Sequence, residues 1–219
     1  MRIRQTARFR GFTMVEILVV VSIIGVLLSL TVQSMKGFSE SMEITNAYQM
    51  VTAKLTLARD LALSRNQYAQ VRLLSPNDAG DSRSGHFTAL AVYLSDSPLY
   101  GTESEWNQWK SEGRIRQEGR VLQLPNSCAI IDNPDYSSLI STLKGTPDAT
   151  RHGTMEINGK SYEWTGFYFK PDGSVDANIG SGCLSIASCL LYKIHSKMPP
   201  NFATIIFDPI NGNLQGLRP

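Results

Sequence analysis

Glu16 is the single charged side chain in an apolar run covering residues 12–32, FTMVEILVVVSIIGVLLSLTV. A carboxylate in such a run costs about 2.5–3.5 kcal/mol at the centre of a bilayer, less near its surface, unless a cation neutralises it. Three thiols, Cys128, Cys183 and Cys189, allow three single disulfides and always leave one cysteine over. Cys183 and Cys189 bracket five residues and are the favoured pair, Cys128 bonded to either would tie distant strands together, and buried free thiols are the alternative. The histidines His86, His152 and His195 lie more than forty positions apart, so only the fold could assemble them. There is no closely spaced Cys/His ligand set, glycine-rich phosphate loop, paired-His motif or nucleophile elbow. Asp172, Asp176 and Asn178 have the look of a calcium loop but lack a downstream bidentate Glu, and a turn is the favoured reading. These residues imply no catalytic site, no metal and no cofactor, and they leave Glu16 to be explained.

What positions Glu16 is an N-terminal helix. Residues 1–11, MRIRQTARFRG, carry Arg2, Arg4, Arg8 and Arg10 without an acid and read as a basic leader. The 21 residues that follow include 15 strongly apolar ones, enough to span about 31 Å as a helix. The basic flank places the leader in the cytoplasm and the rest of the chain outside. A cleaved secretory peptide fits less well, because the run is long and no small-x-small site follows it. A plain signal anchor fits everything except Glu16.

The segment Gly11-Phe12-Thr13-Met14-Val15-Glu16 with its apolar helix resembles the class III signal of type IV prepilins and type II secretion pseudopilins. The resemblance implies that a prepilin peptidase cuts after Gly11 and that Phe12 becomes the N-methylated first residue. It implies further that Glu16 pairs with the N-terminal ammonium of a neighbouring subunit, two costly charges offsetting each other in a fixed axial register. The helix-breaking proline of many major pilins is absent, since Thr31-Val32-Gln33-Ser34 runs on, which favours a minor pilin or pseudopilin role.

Beyond the apolar run, Ile44, Tyr48, Val51, Leu55, Ala58 and Ala62 recur at steps of three and four, one helical face. A single helix from residue 12 to 66, some 80 Å long, is expected, with Gly25 as a close-packing site and Gly37 as a bend. The period then changes to two. Strands are expected at 68–74, 87–94, 120–124, 128–131, 155–157, 160–164, 166–170, 184–195, 202–208 and 214–217, with Asn158-Gly159 as a hairpin turn. The expected organisation is a cleaved leader (1–11), a transmembrane assembly half-helix (12–36), an amphipathic half-helix (37–66) and an antiparallel head (67–219). This is an α+β fold with a long N-terminal helix packed on an antiparallel β-sheet. The order resembles the H-type minor pseudopilins, notably in Phe169-Lys170-Pro171-Asp172-Gly173 and Phe207-Asp208-Pro209-Ile210-Asn211-Gly212.

Residues 104–110 suggest a short helix with Trp106 and Trp109 three apart, which either anchor a loop to the head or contact a partner. Arg114, Arg116 and Arg120, with Lys193, Lys197 and Arg218, are the candidate nucleic-acid contacts. Glu112 and Glu118 interrupt the first cluster, so DNA binding is not favoured. The net charge of +2 belongs to the leader, for without it 17 basic side chains face 19 acidic ones. The expectation is a non-enzymatic structural subunit of a type IV pilus or type II secretion pseudopilus, lodged in the bacterial inner membrane as a single-pass protein before assembly in the envelope. Its expected partners are like subunits, the prepilin peptidase and the membrane. The alternatives are a DNA-binding minor pilin of an uptake fibre and a membrane-anchored exported enzyme.

Overall fold

A helical stripe running straight into alternating strands demands one long helix with a sheet folded against its second half. The computed structural model describes residues 13–78, 80–81, 83–98, 103–145, 151–176 and 182–218, without the side chains of 30–38, 103 and 176. Helix α1 is Met14–Arg65, 52 residues, and both Gly25 and Gly37 lie inside it. It ends where Asn66 turns left-handed at φ 52° and the Gln67 N–H donates to the Ala62 carbonyl at 3.2 Å, a Schellman closure. By contacts the chain divides into two units, residues 1–39 and 40–219.

In the first unit the described apolar side chains of α1 are exposed on every side, from Val20 at 47% to Met14 at 91%. The second unit starts with the amphipathic part of α1. Ile44, Ala47, Val51, Leu55, Ala58 and Ala62 are buried and Tyr48 packs half-buried at their edge, so the expected face holds, with Ala47 added to it.

The strands are β1 (Tyr68–Pro76), β2 (Ala89–Ser95), β3 (Ile115–Gln117), β4 (Leu122–Gln123), β5 (Cys128–Ile130), β6 (His152–Ile157), β7 (Lys160–Phe169), β8 (Val175–Asp176), β9 (Gly182–Ser188), β10 (Phe202–Phe207) and β11 (Leu214–Leu217). They form two antiparallel sheets rather than one. The larger runs β3-β2-β1-β7-β6, with β4 beside β2 and β8 beside β7, and the smaller runs β11-β10-β9-β5. The α+β class with an antiparallel head is as expected.

Strand alternation sorts the residues. Val71, Leu73, Leu90, Val92, Phe167 and Phe169 face the main core, together with Ile186, Ile205 and Phe207 of the smaller sheet and the buried stripe of α1. Leu74, Ala89, Ala91, Tyr93 and Trp164 point the other way into a second cluster. Helix α2 (Glu103–Ser111) covers that cluster with Trp106 and Trp109, which is why β1 and β2 are buried on both faces. Asn158 and Gly159, at φ 52° and 75°, join β6 to β7 with Ile157 opposite Lys160, the pair of left-handed residues that a two-residue type I′ turn requires.

Several boundaries differ from expectation. Residues 184–195 are not one strand: β9 ends at Ser188, paired to Cys128, and α4 (Cys189–His195) begins where the Cys189 N–H donates to the Ser127 carbonyl. An apolar run of this length reads equally as strand or helix, and only the end of the ladder decides it. The expected 160–164 and 166–170 are one strand, β7. The expected 120–124 shrinks to β4, and Phe87 stands outside β2, bridged to Ile130. Helix α3 (Ser138–Gly145), which buries Leu139, Ile140 and Leu143, and the short β3 and β8 were not marked by the period.

Candidate assembly site

The first turn of α1 is closed by its own side chains. The Thr13 N–H points to Glu16 Oε2 at 3.4 Å, and the Glu16 N–H donates to Thr13 Oγ1 at 3.2 Å. This is a capping box, which gives partners to two of the donors a helix leaves free at its start and sets a carboxylate against the positive end of its dipole. Farther along, Ser22 Oγ donates to the Leu18 carbonyl at 2.8 Å and Ser29 Oγ to that of Val26 at 2.7 Å. Their hydroxyls are thus spent within the helix, and what α1 presents outward is apolar. A Cβ on Gly25 would meet nothing within 4 Å, which leaves room for a neighbouring backbone. The only ionisable group from residue 13 to 29 is therefore a carboxylate held at the helix start, amid apolar side chains that are exposed among the described residues.

Residues 6–32 match the prokaryotic N-terminal methylation motif.

The match is to a class III signal, which is consistent with a type IV prepilin-like protein, as expected; a signal of this kind implies processing by a prepilin peptidase and assembly with other pilin-type subunits. No curated protein and no solved structure matches the chain. Gly11 and Phe12, the expected cleavage and methylation residues, lie outside the described residues, while Glu16 is placed in the capping box. Among the described residues no helix is long and apolar enough to cross a membrane. Phe12 and the side chains of residues 30–32, which belong to the expected span, are outside that description.

The head holds the other candidate residues apart. The three cysteines are free thiols. The Cys183–Cys189 bridge is not made, because the five residues between them belong to an extended strand that sets the two roughly 20 Å apart, far beyond the 4.4–6.8 Å a disulfide needs. Cys128 lies in the main core, where burial pushes its thiol pKa up, and burial does the same for Cys189. His86 is buried, its Nδ1 accepting the Asp132 N–H at 3.2 Å and its ring edge-on to Tyr192 at 5.3 Å, and burial holds its pKa below the ordinary value. His152 and His195 are exposed on β6 and α4. Asp172 accepts from the Ser174 N–H and hydroxyl at 2.8 and 2.6 Å, so it closes the Pro171-Asp172-Gly173 turn. The side chain of Asp176 and all of Asn178 lie outside the described residues, and the described residues hold no group of three or more metal-ligating side chains.

The arginine cluster is met by acids: Arg116 and Arg65 both pair with Glu118 at 3.2 and 3.1 Å, and Arg114 lies 3.8 Å from Glu112. Arg218 is turned onto α1, where it bonds Ser41 Oγ at 2.8 Å and also contacts Thr45 Oγ1. Trp106 and Trp109 anchor α2 to the sheet, and their partner is a residue the strand pattern did not single out. Arg72, only 2% exposed, lies between the rings of Trp106 and Trp164 at 3.5 and 3.7 Å from guanidinium carbon to ring centroid, with Tyr93 at 5.1 Å. Its position in β1, in phase with Leu74 and out of phase with Val71 and Leu73, was the available signal.

Proposed function

We propose that this chain is a non-enzymatic minor subunit of a type IV pilus or a type II secretion pseudopilus. In this reading α1 holds the protein in the inner membrane, the leader is in the cytoplasm and the head is outside; the peptidase cuts after Gly11, and the mature protein then joins a filament by its helix. The observation that carries the reading is the methylation motif laid over a helix whose apolar side chains are uncovered and whose first turn holds Glu16. Phe12 and the residues after Ser29 would extend the described apolar stretch to bilayer length.

The chemistry of assembly follows from these groups. Before docking, the Glu16 carboxylate is partly satisfied by the Thr13 N–H. When a second helix arrives, the Phe12 ammonium of that subunit meets the carboxylate, and each charge offsets the other's desolvation only if the two helices stand in one axial register. The test is the intact mass of the protein produced in cells that contain a prepilin peptidase. A chain that starts at Phe12 and carries one added methyl group is expected; a chain that starts at Met1, or after a different residue, would overturn the proposal.

A further inference from the structure

A polar groove of about 490 Å³ opens in the head between the end of β1, the start of β2, β4 and the β6–β7 hairpin. Its floor includes Ala89 and the half-buried ring of Tyr162, both part of or packed on the second cluster. Around it stand four side-chain amides, Asn77 after β1, Gln123 of β4, Asn126 after it and Asn158 in the hairpin turn. None of the four amides makes a side-chain hydrogen bond to the rest of the described chain. The backbone beneath them is fixed by ladders: the Asn77 N–H donates to the Ser161 carbonyl at 3.1 Å, the Leu124 N–H to that of Thr88 at 2.8 Å, and Asn158 is locked in its I′ turn.

The charges in the groove cancel. Arg83 is paired with Asp81 at 3.2 Å, and this bond holds the Asp81 carboxyl below its ordinary pKa. Asp78 accepts the Gly80 N–H at 2.9 Å, and Lys160 is the fourth ionic group. Two carboxylates against two cations give no net field to attract an anion, and the carboxylates repel one. A peptide added as a strand would need the free edge of β6 or of β4, and these border the groove only at Ile157 and Gln123.

What remains is a concave site of ligand size with amides, each of which offers a donor and an acceptor side by side, grouped about an aromatic ring. Neighbouring hydroxyls of a sugar ring present the same donor and acceptor pair, and the C–H face of a pyranose packs on a phenol ring. We propose that the head binds a neutral oligosaccharide in this groove. The proposal needs no assembly into a filament, so it can fail while the function above stands.

The full chain, purified in a detergent that contains no sugar, is titrated calorimetrically with maltotriose, mannotriose and fully N-acetylated chitotriose, and separately with pentaalanine and inorganic phosphate. At least one of the three sugars is expected to saturate at one per chain. Asn77→Ala with Asn126→Ala should weaken it by about tenfold or more, with an unchanged unfolding midpoint, and Tyr162→Phe should weaken it less. Gln123→Ala alone, on an exposed position, gives the same reading if the double variant is poorly folded. No saturation by any of the three at about 10 mM, saturation that these variants leave untouched, or saturation by pentaalanine or phosphate alone would overturn the proposal.

Discussion

The guanidinium carbon of Arg72 lies 3.5 Å from the ring centroid of Trp106 and 3.7 Å from that of Trp164. A buried arginine is costly unless its charge is met, and here aromatic faces meet it while its Nε donates to Gln70 Oε1 at 2.9 Å. Room for the stem comes from the neighbouring strand. Gly166 stands opposite Arg72, and a Cβ there would come within 2.7 Å of the Val71 carbonyl and 3.4 Å of Arg72 Cγ.

Trp106→Ala should therefore destabilise the head by about 2–3 kcal/mol, as lost packing and a lost cation–π contact together. The measurement is urea unfolding of the full chain. A double cycle with Arg72→Met should show strong coupling, since the tryptophan matters less once the charge is gone. Unchanged stability with loss of partner capture would instead assign Trp106 to an interface.

Glu16 caps the first turn of α1 and, in the proposed function, also pairs with a neighbour's ammonium, and two substitutions separate these roles. Glu16→Gln keeps a side chain able to cap Thr13 but carries no charge. Glu16→Ala loses both, with about 0.5–2 kcal/mol of helix-start stability. Both variants should be cut and methylated normally by intact mass. Both should be missing from sheared filaments, and incorporation of Glu16→Gln at the normal level would show that pairing with an ammonium is not what sets the register.

His86 makes the head less stable on mild acidification. Its folded pKa is lowered by burial, so between the ordinary value of 6.5 and that lower value the unfolded chain binds the extra proton. Stability is full above pH 7, falls as pH drops through 6.5, and stops falling from this source below the folded pKa. Lys193 and Lys144 oppose the imidazolium and Asp132 favours it, with burial the largest effect. Urea midpoints from about pH 7 to 5 should fall in the natural protein and be flatter in His86→Phe, which keeps the ring against Tyr192. The depressed carboxyls of Asp81 and Asp172 act only at lower pH, below their ordinary 3.8.

The thiols should titrate as three free groups after unfolding in the absence of reductant. In the folded protein, Cys128 and Cys189 should resist iodoacetamide at neutral pH, because they are buried and burial raises their pKa. Only the half-buried Cys183 should react. Two protected thiols that fail to appear on unfolding would point to a bridge.

Gly216→Ala should loosen the C-terminal strand. A Cβ at this position would collide with the Tyr48 hydroxyl on α1, at an expected cost of about 1–3 kcal/mol. Tyr48→Leu in the same chain should recover part of the loss in a thermal melt.

Much of this was legible from residue order alone. Ile44, Val51, Leu55, Ala58 and Ala62 announced the buried face because a helix repeats its contacts every three or four residues, and Asn158-Gly159 announced a hairpin because few pairs tolerate two left-handed residues. Glu16 stood out because charge in an apolar run is rare. What was not legible depended on partners distant in sequence. The Ser127 carbonyl decides where β9 stops and α4 starts, and the rings that enclose Arg72 come from α2 and β7. The Cys183–Cys189 pairing failed for a related reason, since six positions look short in a loop and are long in a strand.

The clasp made by the last residues also orders events in time. Arg218 reaches Ser41 across 177 positions, and β11 is the edge strand that completes the smaller sheet. A ribosome that has released α1 has yet to make the residues that finish the head. Helix α1 is thus complete before the strand that closes the smaller sheet exists, and the head can close only once β11 has been made.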